Sequence, residues 1–186
     1  TRPAVSVLTV NTLSRYAERL RSITRSVGRT VAWLTFIMVI VTSIVVVDRY
    51  IFSSGSIRLQ ESISFMHAAV FMLAAAYTLA ANGHVRVDIF YSRMNPRSRA
   101  IIDLSGTVIL LLPFCIFLIW TSWDYVVTSW GIQESSRETG GLPFPFPALL
   151  KSFIPIAAML LIMQGLVMIL ESVQVLSRDS QQAQPE

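Results

Sequence analysis

The sequence predicts an all-α integral membrane protein with four transmembrane helices, both ends in the cytoplasm and an N-terminal amphipathic cytoplasmic helix. Three observations carry this reading. Of 186 residues, 53% are hydrophobic and only 14% charged, a balance too apolar for a soluble domain, whose helices keep one polar face. The charges are also clumped. They leave uncharged stretches of 18, 22, 20 and 19 residues at 30–47, 62–83, 104–123 and 152–170; at ~1.5 Å rise per residue the shortest covers roughly 27 Å, close to the hydrocarbon core. Finally, arginine alternates between connections. Arg2, Arg15, Arg19, Arg21, Arg25 and Arg29 precede the first stretch, and Arg86, Arg93, Arg97 and Arg99 lie between the second and third. The other connections hold Arg49 and Arg58, then Arg137 alone before Lys151. The positive-inside rule places the arginine-rich regions in the cytoplasm, and an even number of spans returns the C-terminus there.

The expected organisation is a cytoplasmic amphipathic segment at 1–28, a membrane domain at 29–172, and a cytoplasmic tail at 173–186. The spans fall at about 30–48, 62–83, 102–123 and 151–171. In the first segment Leu13, Tyr16, Leu20, Ile23 and Val27 recur at helical spacing, while Arg15, Arg19 and Arg25 take other faces and Asn11 offers an N-cap. Such a helix either lies along the anionic leaflet or runs on into the first span. It lacks the short apolar region and small-residue cleavage site of a signal peptide. The end of the chain, 177–186, is polar and reads as disordered. Trp33, Tyr50, Trp120, Trp123 and Trp130 stand near span ends, as interfacial aromatics do.

Polar groups within the spans are few. His67 lies in the second span, Asp103 in the first turn of the third with Arg99 four residues before it, and Gln164 in the middle of the fourth. Each reads as a helix-packing hydrogen bond or ion pair rather than a substrate contact. Several chemistries fail on composition and spacing. His67 and His84 stand roughly 25 Å apart along a helix and share no haem iron. The single Cys115 excludes an internal disulfide, a cysteine-based metal site and quinone–disulfide exchange, and reads as a buried hydrophobe. Ser105 and Ser122 have only His67 as a possible base, without a Gly-x-Ser-Gly frame. The first span lacks the deep carboxylate of a small multidrug exporter. Nucleic acid is excluded as a partner because the basic residues flank apolar segments instead of forming a stripe with stacking aromatics. Pro113 should kink the third span, whereas Pro155 should be cheaper near the start of the fourth.

Two connections are specific. One reads Asn82-Gly83-His84-Val85-Arg86-Val87-Asp88-Ile89-Phe90-Tyr91. The other reads Ser129-Trp130-Gly131-Ile132-Gln133-Glu134-Ser135-Ser136, then Gly140-Gly141-Leu142-Pro143 and Lys151-Ser152. With Leu59-Gln60-Glu61 and Gln164-Gly165, these runs in this order between four spans resemble the small permease (DctQ-like) subunit of tripartite ATP-independent periplasmic (TRAP) transporters. The likeness extends from the first span to the fourth and leaves out the first 28 residues.

The resemblance implies a multi-pass protein of the bacterial inner membrane and a transport scaffold, not an enzyme. It implies a large multi-span permease that moves as an elevator and holds the sodium, a periplasmic binding protein that delivers an organic acid, and no cofactor on this chain. Membrane lipid is the other partner. The alternative is a stand-alone homo-oligomeric channel or carrier with Asp103 and Gln164 along a path. The candidate interface and docking residues are Glu61, His67, Arg86, Asp88, Glu134, Arg137, Gly140, Gly141 and Pro143. Glu61 should pair with Arg49 across the first hairpin. Arg86 and Asp88 should pair locally at the membrane border. Gly140 to Pro143 should turn, and Phe144-Pro145-Phe146-Pro147 should run stiff and extended. Glu134, Arg137 and Glu138 should be exposed. Small residues such as Gly106, Ala68 and Ala69 should line the face that meets the large subunit.

Overall fold

In lipid every backbone amide and carbonyl must find an internal partner, so uncharged stretches of this length have one stable solution, the helix. The computed structural model describes residues 3–81, 91 and 93–182, with side chains from Ala17 to Ser177. Among the described residues every regular element is helical: α1 (Pro3–Ile51), α2 (Ile57–Ala80), α3 (Pro96–Gly106), a π-helical turn (Thr107–Leu111), α4 (Leu112–Gly131) and α5 (Phe146–Gln182). The α3–π–α4 series forms one rod, so four helices are long and apolar enough to cross a membrane: Ala17–Ile51, Ile57–Ala80, Pro96–Gly131 and Phe146–Ser177.

Local chemistry sets the starts. The Ser56 hydroxyl accepts from the Leu59 N–H at the head of α2, and the Asn95 side chain accepts from the Ser98 N–H with Pro96 next in line. The kink expected at Pro113 takes the form of the π turn just before it, where the Leu112 N–H reaches back to the Thr107 carbonyl. A proline lacks an amide and crowds the preceding turn, and one wider turn accommodates both. Pro155 departs from expectation. Because α5 begins at Phe146, Pro155 is interior and buried, and it withholds a donor from the Lys151 carbonyl.

Of the two readings open for the first segment, the continuous one holds: it runs on into the first apolar stretch as one helix of 49 residues, roughly 74 Å long. The end of the chain is helical to Gln182 instead of unstructured beyond 177, because no glycine or proline interrupts it after Gly165. Phe144–Pro147 is not extended: it turns at Phe144 and Pro145, whose peptide bond is cis, and enters α5 at Phe146. Pro147 then sits in the first helical turn, where no amide is needed.

The fold centres on α5, which packs on α1, α2, α3 and α4. In its most apolar window 39% of residues are buried, against 6–17% in the other three spans. Small residues bring the helices together at about seven-residue spacing: Ala17, Thr24 and Val31 on α1, Ala69 and Ala76 on α2, and Thr107, Cys115, Ser122 and Ser129 along the third rod. Gly28 is required by contact, since a Cβ there would overlap the Tyr77 side chain. Ala69 is thus spent inside the bundle, whereas a Cβ on Gly106 would meet nothing within 4 Å. The outer faces of α1 and the third rod stay apolar and uncovered, with Phe36, Val39, Leu110, Phe117 and Trp120 all more than half exposed.

Candidate functional site

Charged side chains gather at the end of the bundle where α2 starts, α4 ends and α5 starts. Glu61, in the second turn of α2, grips the loop between α4 and α5. Its carboxylate accepts the Leu142 N–H at 2.6 Å and the Ser136 hydroxyl. The loop is closed on itself at the same place. The Ser136 N–H donates to the Leu142 carbonyl at 2.9 Å, and the Glu138 N–H donates to Ser136 Oγ at 3.1 Å. Gly140 turns the chain at φ +82°, a conformation that costs other residues energy. Gly141 is dictated by space, because a Cβ would press on the Ser136 side chain and lie 2.7 Å from Glu61 Oε2.

A second clamp lies beside the first. Glu134 accepts the Ser129 hydroxyl at 2.6 Å and pairs with Lys151 from the first turns of α5. Lys151 also sits 4.0 Å from the centre of the Tyr125 ring. The Lys151 and Glu134 side chains are only 15% and 19% exposed, which sets this pair apart from a solvated surface ion pair. The hydrogen bond from Lys151, then that from Ser129, holds the Glu134 carboxyl below the ordinary glutamate value. Aromatic contacts complete the corner. Trp130 Nε1 donates to Ser152 Oγ at 3.0 Å, its ring meets Phe144 edge-on, and Phe65 packs on Phe146 and Phe153. Between the clamps lies a cleft of about 440 Å³, bordered by Glu61, Phe65, Tyr125, Glu134, Arg137 and Lys151.

The structure thus brings Glu61, Glu134, Gly140, Gly141 and Pro143 to one corner, with Arg137 at its rim. The Pro143 carbonyl accepts the Phe146 N–H and so starts α5. Two expectations change. Glu61 is held by the far loop and not by Arg49, which is exposed. Glu134 turns inward, and only Arg137 and Glu138 remain exposed. The donors in this partly buried corner prevail over a solvated arginine because they reach the carboxylate already fixed by the fold. His67 is exposed on the outer side of α2, away from the clamps, and Arg86 and Asp88 lie outside the described residues.

At the opposite end Asp103 accepts the Tyr91 hydroxyl at 2.6 Å, and the Arg99 guanidinium lies over the Tyr91 ring. Asp103 is beyond the first turn, since this helix starts at Pro96. Gln164 is 2% exposed, packed in the core of α5, with Oε1 unpaired. The Glu134–Lys151 pair and the Ser129 and Ser136 donors escaped the sequence reading. Their one visible signal was Lys151 itself, a lysine at the rim of an apolar span that calls for a partner.

The hydroxyls of the clamped corner donate to carboxylates that are also held by the Leu142 N–H and by Lys151, and among the described residues no three His, Cys, Asp or Glu side chains gather as a metal-binding group. Four apolar rods locked at one end by charged clamps define a multi-pass helical membrane protein. The family described as tripartite ATP-independent periplasmic transporters, DctQ component, matches residues 37–175, well over half the chain. The chain belongs to that family and is therefore a transporter component that works with partner subunits, not a member of an enzyme family. No curated protein and no solved structure gives a match.

Proposed function

We propose that this chain is the small scaffold subunit of a sodium-coupled, binding-protein-dependent importer of an organic acid. In this reading both ends lie in the cytoplasm of a bacterial inner membrane, and the clamped corner faces the periplasm. The outer faces of α1 and the third rod seat the chain against a large elevator-type permease, which holds the sodium and the substrate. The observation that carries the reading is how the polar groups are used. Glu61, Glu134 and Lys151 tie loop to helix, and among the described residues no Asp, Glu, Lys or Arg lies in the middle of a span. A static partner needs rigidity of this kind at the surface where a binding protein docks, and Arg137 and Glu138 offer exposed charge there.

The test is a tagged pull-down from native membranes in mild detergent, read by mass spectrometry, together with reconstitution of the chain alone in liposomes. A stoichiometric large membrane partner, with no transport by the isolated chain, is the expected result. Transport by this chain alone, as a homo-oligomer without a partner, would overturn the proposal in favour of a channel or carrier.

A further inference from the structure

The arginine-rich end of the bundle holds a second feature, distinct from the clamped corner. Arg21 and Arg25 lie one turn apart on α1 and face the end of α2, where Tyr77, Ala80 and Ala81 close a hollow of about 270 Å³. The room exceeds that of several water molecules, each of which occupies about 30 Å³ in the liquid. The two small alanines leave this space, and the contact of Gly28 with Tyr77 fixes its floor by bringing α1 against α2.

Arg21 pairs with Glu171 of α5 through a terminal nitrogen, but its Nε–H is buried and has no hydrogen-bond acceptor. A buried donor without an acceptor is costly, more so on a cation. Among the described residues no carboxylate pairs with Arg25, so two guanidinium groups meet one space with a single counter-charge between them. Arg25 is one turn before Arg29, the last charge ahead of the uncharged stretch 30–47, which sets the hollow at headgroup depth.

We propose that this hollow binds a phosphate group between the guanidinium groups of Arg21 and Arg25. Guanidinium groups match phosphate in charge and fork geometry. Two sources supply that chemistry at a membrane border, an anionic phospholipid headgroup and free phosphate. The site depends on neither the partner nor the direction of insertion.

Native mass spectrometry of the full chain, stripped of lipid and titrated with phosphatidylglycerol or inorganic phosphate, tests it. Arg25→Gln removes a charge that the described fold does not use, and thermal unfolding checks that the variant remains folded. Wild type should bind one equivalent, Arg25→Gln about tenfold more weakly, and Arg25→Lys between the two. Phosphatidylglycerol retained against millimolar inorganic phosphate assigns the site to the lipid, and displacement assigns it to free phosphate. Binding of neither by wild type, or equal binding by Arg25→Gln, would overturn the proposal.

Discussion

Glu61 and Leu142 are 81 positions apart, yet the Leu142 N–H donates to the Glu61 carboxylate at 2.6 Å. One side chain at the head of α2 therefore fixes the loop that leads into α5, and with the Ser136 hydroxyl it satisfies two loop donors at once. Since α5 packs on every other helix, this end of the bundle is held by a few polar contacts of long sequence separation.

Glu61→Ala should free the loop without unfolding the bundle, because the apolar contacts of α2 with α5 remain. Amide exchange over residues 136–142 should rise several-fold, while exchange in α5 around Val167 stays slow. Yield of the complex with partner subunits, and uptake, should fall as well. Unchanged exchange in the loop would show that Glu61 does not anchor it.

The Glu134–Lys151 clamp should respond to acid in a defined sense. Its hydrogen bonds hold the Glu134 carboxyl below the usual value of 4.5, so the folded state binds the proton less readily than the unfolded chain. The contribution is present in full above 4.5 and is lost as pH falls through the lowered value. A fluorophore on Glu138→Cys should keep high anisotropy from neutral pH to below 4.5 and lose it further down. Adding Glu134→Gln should lower the anisotropy already at neutral pH. A drop starting near pH 6 in the Glu138→Cys protein would contradict the lowered value.

Gly28→Ala should press on Tyr77 and push α1 from α2. The expected loss is about 1–3 kcal/mol, read as a lower midpoint in thermal unfolding. Combining it with Tyr77→Ala should give less than the sum of the two single losses, because the second change removes the obstacle. Strict additivity would place the damage elsewhere.

Gln164→Leu should leave stability unchanged or raise it by up to about 1–3 kcal/mol, since it removes a buried carbonyl oxygen that lacks a partner. Uptake by the assembled transporter should be unaffected. Loss of transport in a stable, assembled variant would give Gln164 the pathway role of the alternative channel reading.

The helical spans and the family were legible in the sequence because hydrophobicity over about twenty residues is a local quantity, as are the proline and glycine positions that shape the turns. Pro113 announced an irregularity in the third rod, though not that it would be a π turn. Lys151, next to a long apolar stretch, signalled a need for a counter-charge but not which residue would meet it. Arg49 was nearer to Glu61 in sequence, and Glu134 had the composition of an exposed loop residue.

What the sequence by itself determined was therefore the class of protein and the number of apolar rods, since each follows from charge and hydropathy along short windows. Only the tertiary structure decided that Glu61 reaches Leu142 and Ser136, that Glu134 turns in toward Lys151, and that Arg21 and Arg25 share one hollow with Tyr77. Those pairings depend on how helices distant in the chain are rotated against each other. That rotation is set by the small residues along α2, the third rod and α5, where packing takes the place of the hydrophobic drive that lipid does not supply.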